Sequence, residues 1–103
     1  ETYIAKEVPA YIDSHYPSLP SRSARAITGL SMGGHGGLYL GIKYPKIFGA
    51  CGSMSGGVDI GFRKNSWDLQ QLLGDSASYP NHWKDYSVHY LVELMIFFQE
   101  AFF

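Results

Sequence analysis

The sequence predicts an α/β fold with a parallel sheet, and three observations carry that reading. Residues 24–28 and 48–54 are short apolar, small-residue runs of strand length. Residues 32–44 between them have the length and pattern of a helix. Strand, helix and strand over about thirty residues make a βαβ unit, whose crossover requires parallel strands. Eleven of the 12 glycines fall between Gly29 and Gly61, which concentrates the closest backbone packing in that unit.

Composition bounds the rest. The chain has 103 residues, with 8 Lys plus Arg against 9 Asp plus Glu. With 46% hydrophobic residues it has the balance of a globular domain. A formal charge of −1 without a basic run excludes nucleic acid as an expected partner. No apolar stretch reaches the roughly 18 residues of a membrane span. A single cysteine, Cys51, excludes an internal disulfide framework and a cysteine-based zinc cluster. One domain is the most this length holds.

Taken in order, residues 2–16 carry Ile4, Val8, Tyr11, Ile12 and His15 in an amphipathic helical stripe. Pro9 inside it predicts a kink, and the stripe predicts a core position for His15. Pro17 and Pro20 then make residues 16–21 a loop. The strand at 24–28 ends at Gly29. In the helix at 32–44, Gly33, Gly37 and Gly41 recur every four residues. Glycine costs a helix about 1 kcal/mol relative to alanine, so the row predicts a face pressed against the sheet. Pro45 stands just past its end. The strand at 48–54, with Cys51 as a buried thiol, leads into the turn Ser55-Gly56-Gly57. A short helix at 67–73, a loop at 74–81 and a third helix at 82–95 complete the chain. Glu1 opens directly on a helical pattern, and residues 91–103 form a dense apolar run without a polar cap. Residues 1–103 are therefore expected to be a partial domain, truncated at both ends.

The chemistry lies at Gly29-Leu30-Ser31-Met32-Gly33, a G-x-S-x-G motif between a predicted strand and a predicted helix. A nucleophilic serine must project its hydroxyl from a sharp turn where its own backbone is crowded. Glycines two residues before and after remove the colliding side chains. The turn also sets Ser31 at a helix N-terminus, where free N–H groups favour negative charge. The Met32 backbone N–H is then placed to hold the oxyanion formed when Ser31 attacks a carbonyl. The bland alternative is a tight strand-to-helix turn with Ser31 as N-cap. A phosphate loop fails because His35-Gly36 stands where lysine and a hydroxyl residue are needed. A dinucleotide fingerprint fails because Tyr39 stands where a third small residue is needed.

Ser31 and its surroundings carry a resemblance. Ser23, Arg25-Ala26-Ile27-Thr28-Gly29-Leu30-Ser31-Met32-Gly33-Gly34-His35-Gly36-Gly37, Tyr44-Pro45, Phe48-Gly49-Ala50 and Gly52-Ser53-Met54-Ser55-Gly56-Gly57 resemble the esterase family of the α/β-hydrolase superfamily. That family includes S-formylglutathione hydrolases, tributyrin, feruloyl and acetyl-xylan esterases, and mycolyl-transferring relatives. Val8-Pro9-Ala10-Tyr11-Ile12-Asp13 resembles the helix before its nucleophile strand. The likeness runs over about residues 1–60 and fades after Trp67.

The resemblance implies a fragment of an α/β-hydrolase fold and a Ser–Asp–His triad in that chain order. It implies action on small-molecule or carbohydrate-linked esters or thioesters, with no cofactor and no metal. Ser31 is then the nucleophile and Met32 the oxyanion donor. The acid and the histidine would follow the end of this chain, and the second oxyanion donor would precede Glu1. Met95-Ile96-Phe97-Phe98 resembles the start of the strand that leads to the acid. Gln99-Glu100-Ala101-Phe102-Phe103 stands where the family has Asp-Cys-Gly. Glu100 as a displaced acid is the weaker reading of that segment.

Four histidines are present. His35, one turn beyond Ser31 on the same helix, points along the helix and is assigned to packing rather than to base catalysis. His82 and His89 have no carboxylate partner at useful spacing, and the set makes no metal site. Trp67 and Trp83 are candidates for an aryl or sugar contact, against the commoner role of packing. The expected function is a serine carboxylic ester hydrolase. Its rivals are an acyltransferase of the same fold and a non-catalytic carbohydrate-binding relative.

Overall fold

The computed structural model describes residues 1–63 and 65–94. The chain divides into two compact units, Glu1–Gly56 and the part from Gly57 onward.

In the first unit a π-helical turn, Tyr3–Glu7, leads into helix α1, Val8–His15. Pro9 lies in the first turn of α1, where its missing N–H needs no acceptor. The Val8 N–H reaches back five residues to the Tyr3 carbonyl, so the wider turn takes up the proline. The continuous helix expected at 2–16 is thus a π-to-α junction. His15 is corrected as well: it is exposed, stacked on the Tyr11 ring at 4.0 Å, with Nδ1 2.9 Å from the Tyr11 carbonyl.

Strands β1, Ala26–Ile27, and β2, Ala50–Cys51, pair in parallel, with Ala26 opposite Ala50 and Ile27 opposite Cys51. Both are shorter than the runs at 24–28 and 48–54 predict, and Arg22–Ala24 forms a 3₁₀ turn instead. The backbone bonds nevertheless carry the ladder onward. The N–H groups of Gly49, Gly52 and Met54 donate to the carbonyls of Arg25, Ile27 and Gly29 at 2.8, 3.0 and 2.9 Å. Cys51 is exposed, not buried.

Helix α2, Met32–Lys43, crosses one face of this pair. The glycines that face the sheet side are Gly34, Gly37 and Gly41. A Cβ on Gly37 would sit 2.9 Å from the Gly52 carbonyl oxygen, and one on Gly41 would overlap Cys51. A Cβ on Gly33 would meet nothing within 4 Å. The packed row therefore runs 34, 37, 41 and replaces the predicted row of 33, 37 and 41. The bonds and contacts around α2 decide its rotation, and a four-residue spacing cannot.

Two polar contacts tie α1 into this unit. Arg25, just before β1, pairs with Asp13 of α1 and donates to the Ile47 carbonyl at 3.0 Å. Ser18 also donates to Asp13, at 2.8 Å. At the other end, the Glu1 carboxylate accepts from Tyr39, Lys43 and Tyr44 at 2.5, 2.8 and 2.7 Å. The Lys43 and Tyr39 hydrogen bonds hold the Glu1 carboxyl down to about 2, below its ordinary 4.5. Burial, then Glu1, pushes Tyr39 up to about 12, and the bond to Glu1 raises Lys43. Ala5, Tyr39, Leu40 and Phe48 are the buried apolar residues here.

In the second unit, a 3₁₀ turn at Ile60–Arg63 is followed by α3, Leu69–Leu73, and α4, Pro80–Asp85. Residues 88–94 are again helical. The single helix expected at 82–95 is broken at Tyr86 and Ser87, where the Ser87 hydroxyl donates to the Val58 carbonyl at 3.2 Å. Pro80 starts α4 inside the expected loop, as proline favours a first helical turn. Trp83, like Ile60 and Val88, is buried in this unit, with its indole N–H on the Gly74 carbonyl at 2.9 Å. The strand expected at Met95-Ile96-Phe97-Phe98, the helix end at Met95, Glu100 and the apolar end beyond residue 94 lie outside the described residues. Among the described residues no helix is long and apolar enough to cross a membrane.

Two predictions follow from this packing. Gly41→Ala must displace Cys51, and overpacking of this kind costs about 1–3 kcal/mol. Gly33→Ala meets open space and gains helix propensity, about 1 kcal/mol at most. Thermal unfolding of the two variants should therefore shift in opposite directions; equal losses would remove the assigned packing row. The second prediction concerns acid. Because folding lowers the Glu1 pKa, its contribution is complete above about pH 5 and is lost as pH falls through about 2. Glu1→Gln should lower Tm at neutral pH and flatten its decline across that acid window. An unchanged Tm–pH curve would show that the cluster adds nothing to stability.

Candidate active site

The chain leaves β1 at Ile27, passes Thr28, Gly29 and Leu30, reverses at Ser31 and enters α2 at Met32. Ser31 makes the reversal with φ 56 and ψ −114. An L-residue held at such positive φ costs of order 1–3 kcal/mol and persists only where its surroundings fix it.

Met54 supplies most of that fixing. Its N–H donates to the Gly29 carbonyl at 2.9 Å, and its carbonyl accepts the Ser31 N–H at 2.8 Å. Leu30 and Met54 form a parallel bridge between these two bonds. The Gly33 N–H closes the turn on the Leu30 carbonyl at 2.9 Å, and the His35 N–H begins the helical ladder on the Ser31 carbonyl. Gly29 is required sterically, since a Cβ there would lie 2.8 Å from Gly33 Cα and nearer still to its carbonyl. Gly33 carries no such constraint, so the expectation that both motif glycines avoid collisions holds for Gly29 alone.

Ser31 is exposed, and its hydroxyl has no hydrogen-bond partner among the described residues. The Met32 N–H likewise meets no acceptor among them, while the Met32 side chain is 87% exposed. An unpaired hydroxyl thus stands at the N-terminus of a 12-residue helix, beside an uncommitted backbone donor. Such a terminus favours an anion through both its free N–H groups and its dipole. That is the arrangement an acyl transfer to serine requires of one chain segment: a projecting hydroxyl with a donor at hand for developing negative charge.

Within the first unit, neither the His15 ring nor the His35 ring bonds to Ser31. His35 is half-buried and stacks on Tyr39 at 5.8 Å. His15 is engaged at the end of α1. In the second unit, His82 Nδ1 lies 3.1 Å from the Leu73 carbonyl and its ring stacks on Tyr79. His89 lies 3.0 Å from Glu93, one turn along the same helical segment, with both side chains exposed. This pairing differs from the expectation that His89 lacks a carboxylate at useful spacing. Trp83 is the packing residue of the two tryptophans. Trp67 is exposed and adopts φ 55, as does Ser55 at the end of the β2 strand segment.

Two features escaped sequence reasoning. The hold of Met54 on both sides of the elbow uses backbone atoms only, so no side-chain pattern announces it. The grip of Tyr39, Lys43 and Tyr44 on Glu1 joins residues about forty positions apart, and only the i, i+4 spacing of Tyr39 and Lys43 hints at a shared face.

Comparison with known proteins bears on the family and the fold. The family described as "Putative esterase" matches residues 1–94. Diacylglycerol acyltransferase/mycolyltransferase Ag85A of Mycobacterium leprae (strain TN) is 35% identical over 79 residues, covering 77% of this chain and 23% of that protein. A solved S-formylglutathione hydrolase from Agrobacterium tumefaciens has 33% identity and a TM-score of 0.71, covering 89% of this chain and 32% of that one. The chain therefore spans about a quarter of the length of one relative and about a third of the other. With the family matched over nearly all of its length and a parallel β–turn–α–β unit in place, the chain belongs to this esterase family and forms part of an α/β-hydrolase fold.

Proposed function

We propose that this chain carries the nucleophile of a serine carboxylic ester hydrolase. The observation that supports it is the backbone of Ser31, at φ 56 and ψ −114 on the N-terminus of α2, with its hydroxyl uncommitted. A serine needed only as an N-cap would sit in extended backbone and bond into the first turn; Ser31 has no side-chain cap bond.

In the proposed reaction, Ser31 Oγ attacks the ester carbonyl and a histidine takes its proton. The carbonyl oxygen gains the negative charge, and the Met32 N–H donates to it. Collapse of the intermediate expels the alcohol, which the histidinium protonates, and leaves Ser31 acylated. Water, deprotonated by the same histidine, then releases the acid. That histidine and its orienting carboxylate are assigned to residues outside this chain, because neither the His15 ring nor the His35 ring bonds to Ser31 and the chain covers only part of its relatives. Acyl transfer is the second reading, supported by the relative named as an acyltransferase and mycolyltransferase. There an alcohol replaces water in the second half-reaction, and Ser31 keeps the same role.

The test uses the full-length protein containing this chain. A fluorophosphonate should label Ser31, and Ser31→Ala should abolish both the label and p-nitrophenyl acetate hydrolysis while Tm changes little. His35→Ala should keep most of the activity. Full activity in Ser31→Ala would end the nucleophile reading and leave residues 29–33 as a structural turn. Loss of several orders of magnitude in kcat for a folded His35→Ala would move the base to His35. Added alcohols that divert acyl product from acid to ester would favour transfer over hydrolysis.

A further inference from the structure

Beside the elbow lies a second strained turn, at residues 53–56. Ser55 adopts φ 55, and the Ser53 hydroxyl accepts the Gly56 N–H at 3.2 Å. Between them Met54 makes the two backbone bonds that hold Gly29 and Ser31. This turn presses directly on the first turn of α2. A Cβ on Gly34 would lie 2.6 Å from Ser53 Oγ and 3.0 Å from Gly56 Cα. A Cβ on Gly56 would lie 2.6 Å from the Gly34 carbonyl carbon and from the His35 nitrogen, and would overlap Ser53 Oγ. Ser53 Oγ is thus a wedge between Gly34 and Gly56. Ser53 Oγ and the Gly56 backbone together meet the first turn of α2, the turn that carries the Met32 N–H.

We propose that Ser53 is a positioning residue for the elbow: its hydroxyl, matched to the absent side chain of Gly34, fixes the spacing between the Met54 turn and the start of α2. Through that spacing it sets the direction of Ser31 Oγ and of the Met32 N–H. The proposal rests on the reading of Ser31 as nucleophile. Its consequence is a reciprocal steric match. Ser53→Ala leaves a gap and an unaccepted Gly56 N–H, Gly34→Ala drives a methyl into Ser53 Oγ and against the Gly56 backbone, and the two together remove the clash with Ser53 Oγ.

The experiment compares wild type, Ser53→Ala, Gly34→Ala and the double variant in the full-length protein. It measures kcat and KM for p-nitrophenyl acetate, the rate of fluorophosphonate labelling per titrated site, and Tm. Small displacements of reacting groups cost up to about 100-fold. Each single variant should therefore lose about tenfold or more in kcat and labelling rate, with KM within about twofold. The double variant should be faster than Gly34→Ala alone, a departure from additivity expected only of groups in contact. Unchanged kcat in Ser53→Ala, or a double variant no faster than Gly34→Ala, would overturn the proposal. A drop in Tm with per-site kcat preserved would also overturn it, reducing Ser53 to packing. If Ser31→Ala stays active, the nucleophile reading fails by itself. The Tm values of the four proteins still report the steric match, and additive Tm losses would refute it.

Discussion

The structure of the first unit depends on the double backbone bond that Met54 makes across the elbow. Its N–H reaches Gly29 and its carbonyl receives the Ser31 N–H, so the strained serine is gripped on both sides by one residue just past β2. Residues in sparsely populated backbone regions persist only when their surroundings over-determine them. Here the over-determination comes from a parallel ladder that continues as hydrogen bonds beyond the two-residue strands themselves. Everything that brings β2 beside β1 is therefore also a condition for the shape of the site. That includes the close seating of α2, which the absence of side chains at Gly37 and Gly41 permits.

A second set of contacts keeps α1 in place. The pair of Asp13 with Arg25 holds its C-terminal part to the start of β1, and Glu1, ahead of the π-helical turn that leads into it, is held to the last turn of α2. Lys43 is suited to that place twice over, as counter-ion to Glu1 and as a cation at a helix C-terminus. Pairs at such exposure contribute modestly to stability. Their use is geometric. They fix the two ends of the segment made of the π-helical turn and α1, whose apolar side chains, Tyr11 and Ile12 among them, remain exposed in this unit.

Membership of the esterase family and the proposed chemistry meet at one point of the backbone. A hydroxyl nucleophile and an oxyanion donor on adjacent residues need no mobile loop to align them, because the reversal of the chain aligns them. The proposed wedge at Ser53 extends this logic by one contact outward. On that proposal the Ser53 hydroxyl, set against Gly34 and Gly56, spaces the backbone that carries Ser31 and Met32.

The sequence by itself determined the βαβ unit, its parallel sense and the place of Ser31 between strand and helix. Those follow from apolar runs of the right length, from glycine punctuation and from a motif whose residues are adjacent in the chain. Helix α2 is legible for the same reason, within one residue of its end. Tertiary structure decided what depends on contacts between distant segments. The packed glycine row became 34, 37 and 41 because neighbouring elements set the rotation of α2. Pro9 joined a π turn to an α-helix, since a proline's missing donor permits more than one local solution. The strands shortened to two residues each, and Cys51 and His15 proved exposed, because a hydrophobic stripe states a preference for burial without naming what will cover it. The hold of Met54 on the elbow was also beyond the sequence: backbone N–H and carbonyl groups are the same in every residue, and only the fold chooses which of them meet.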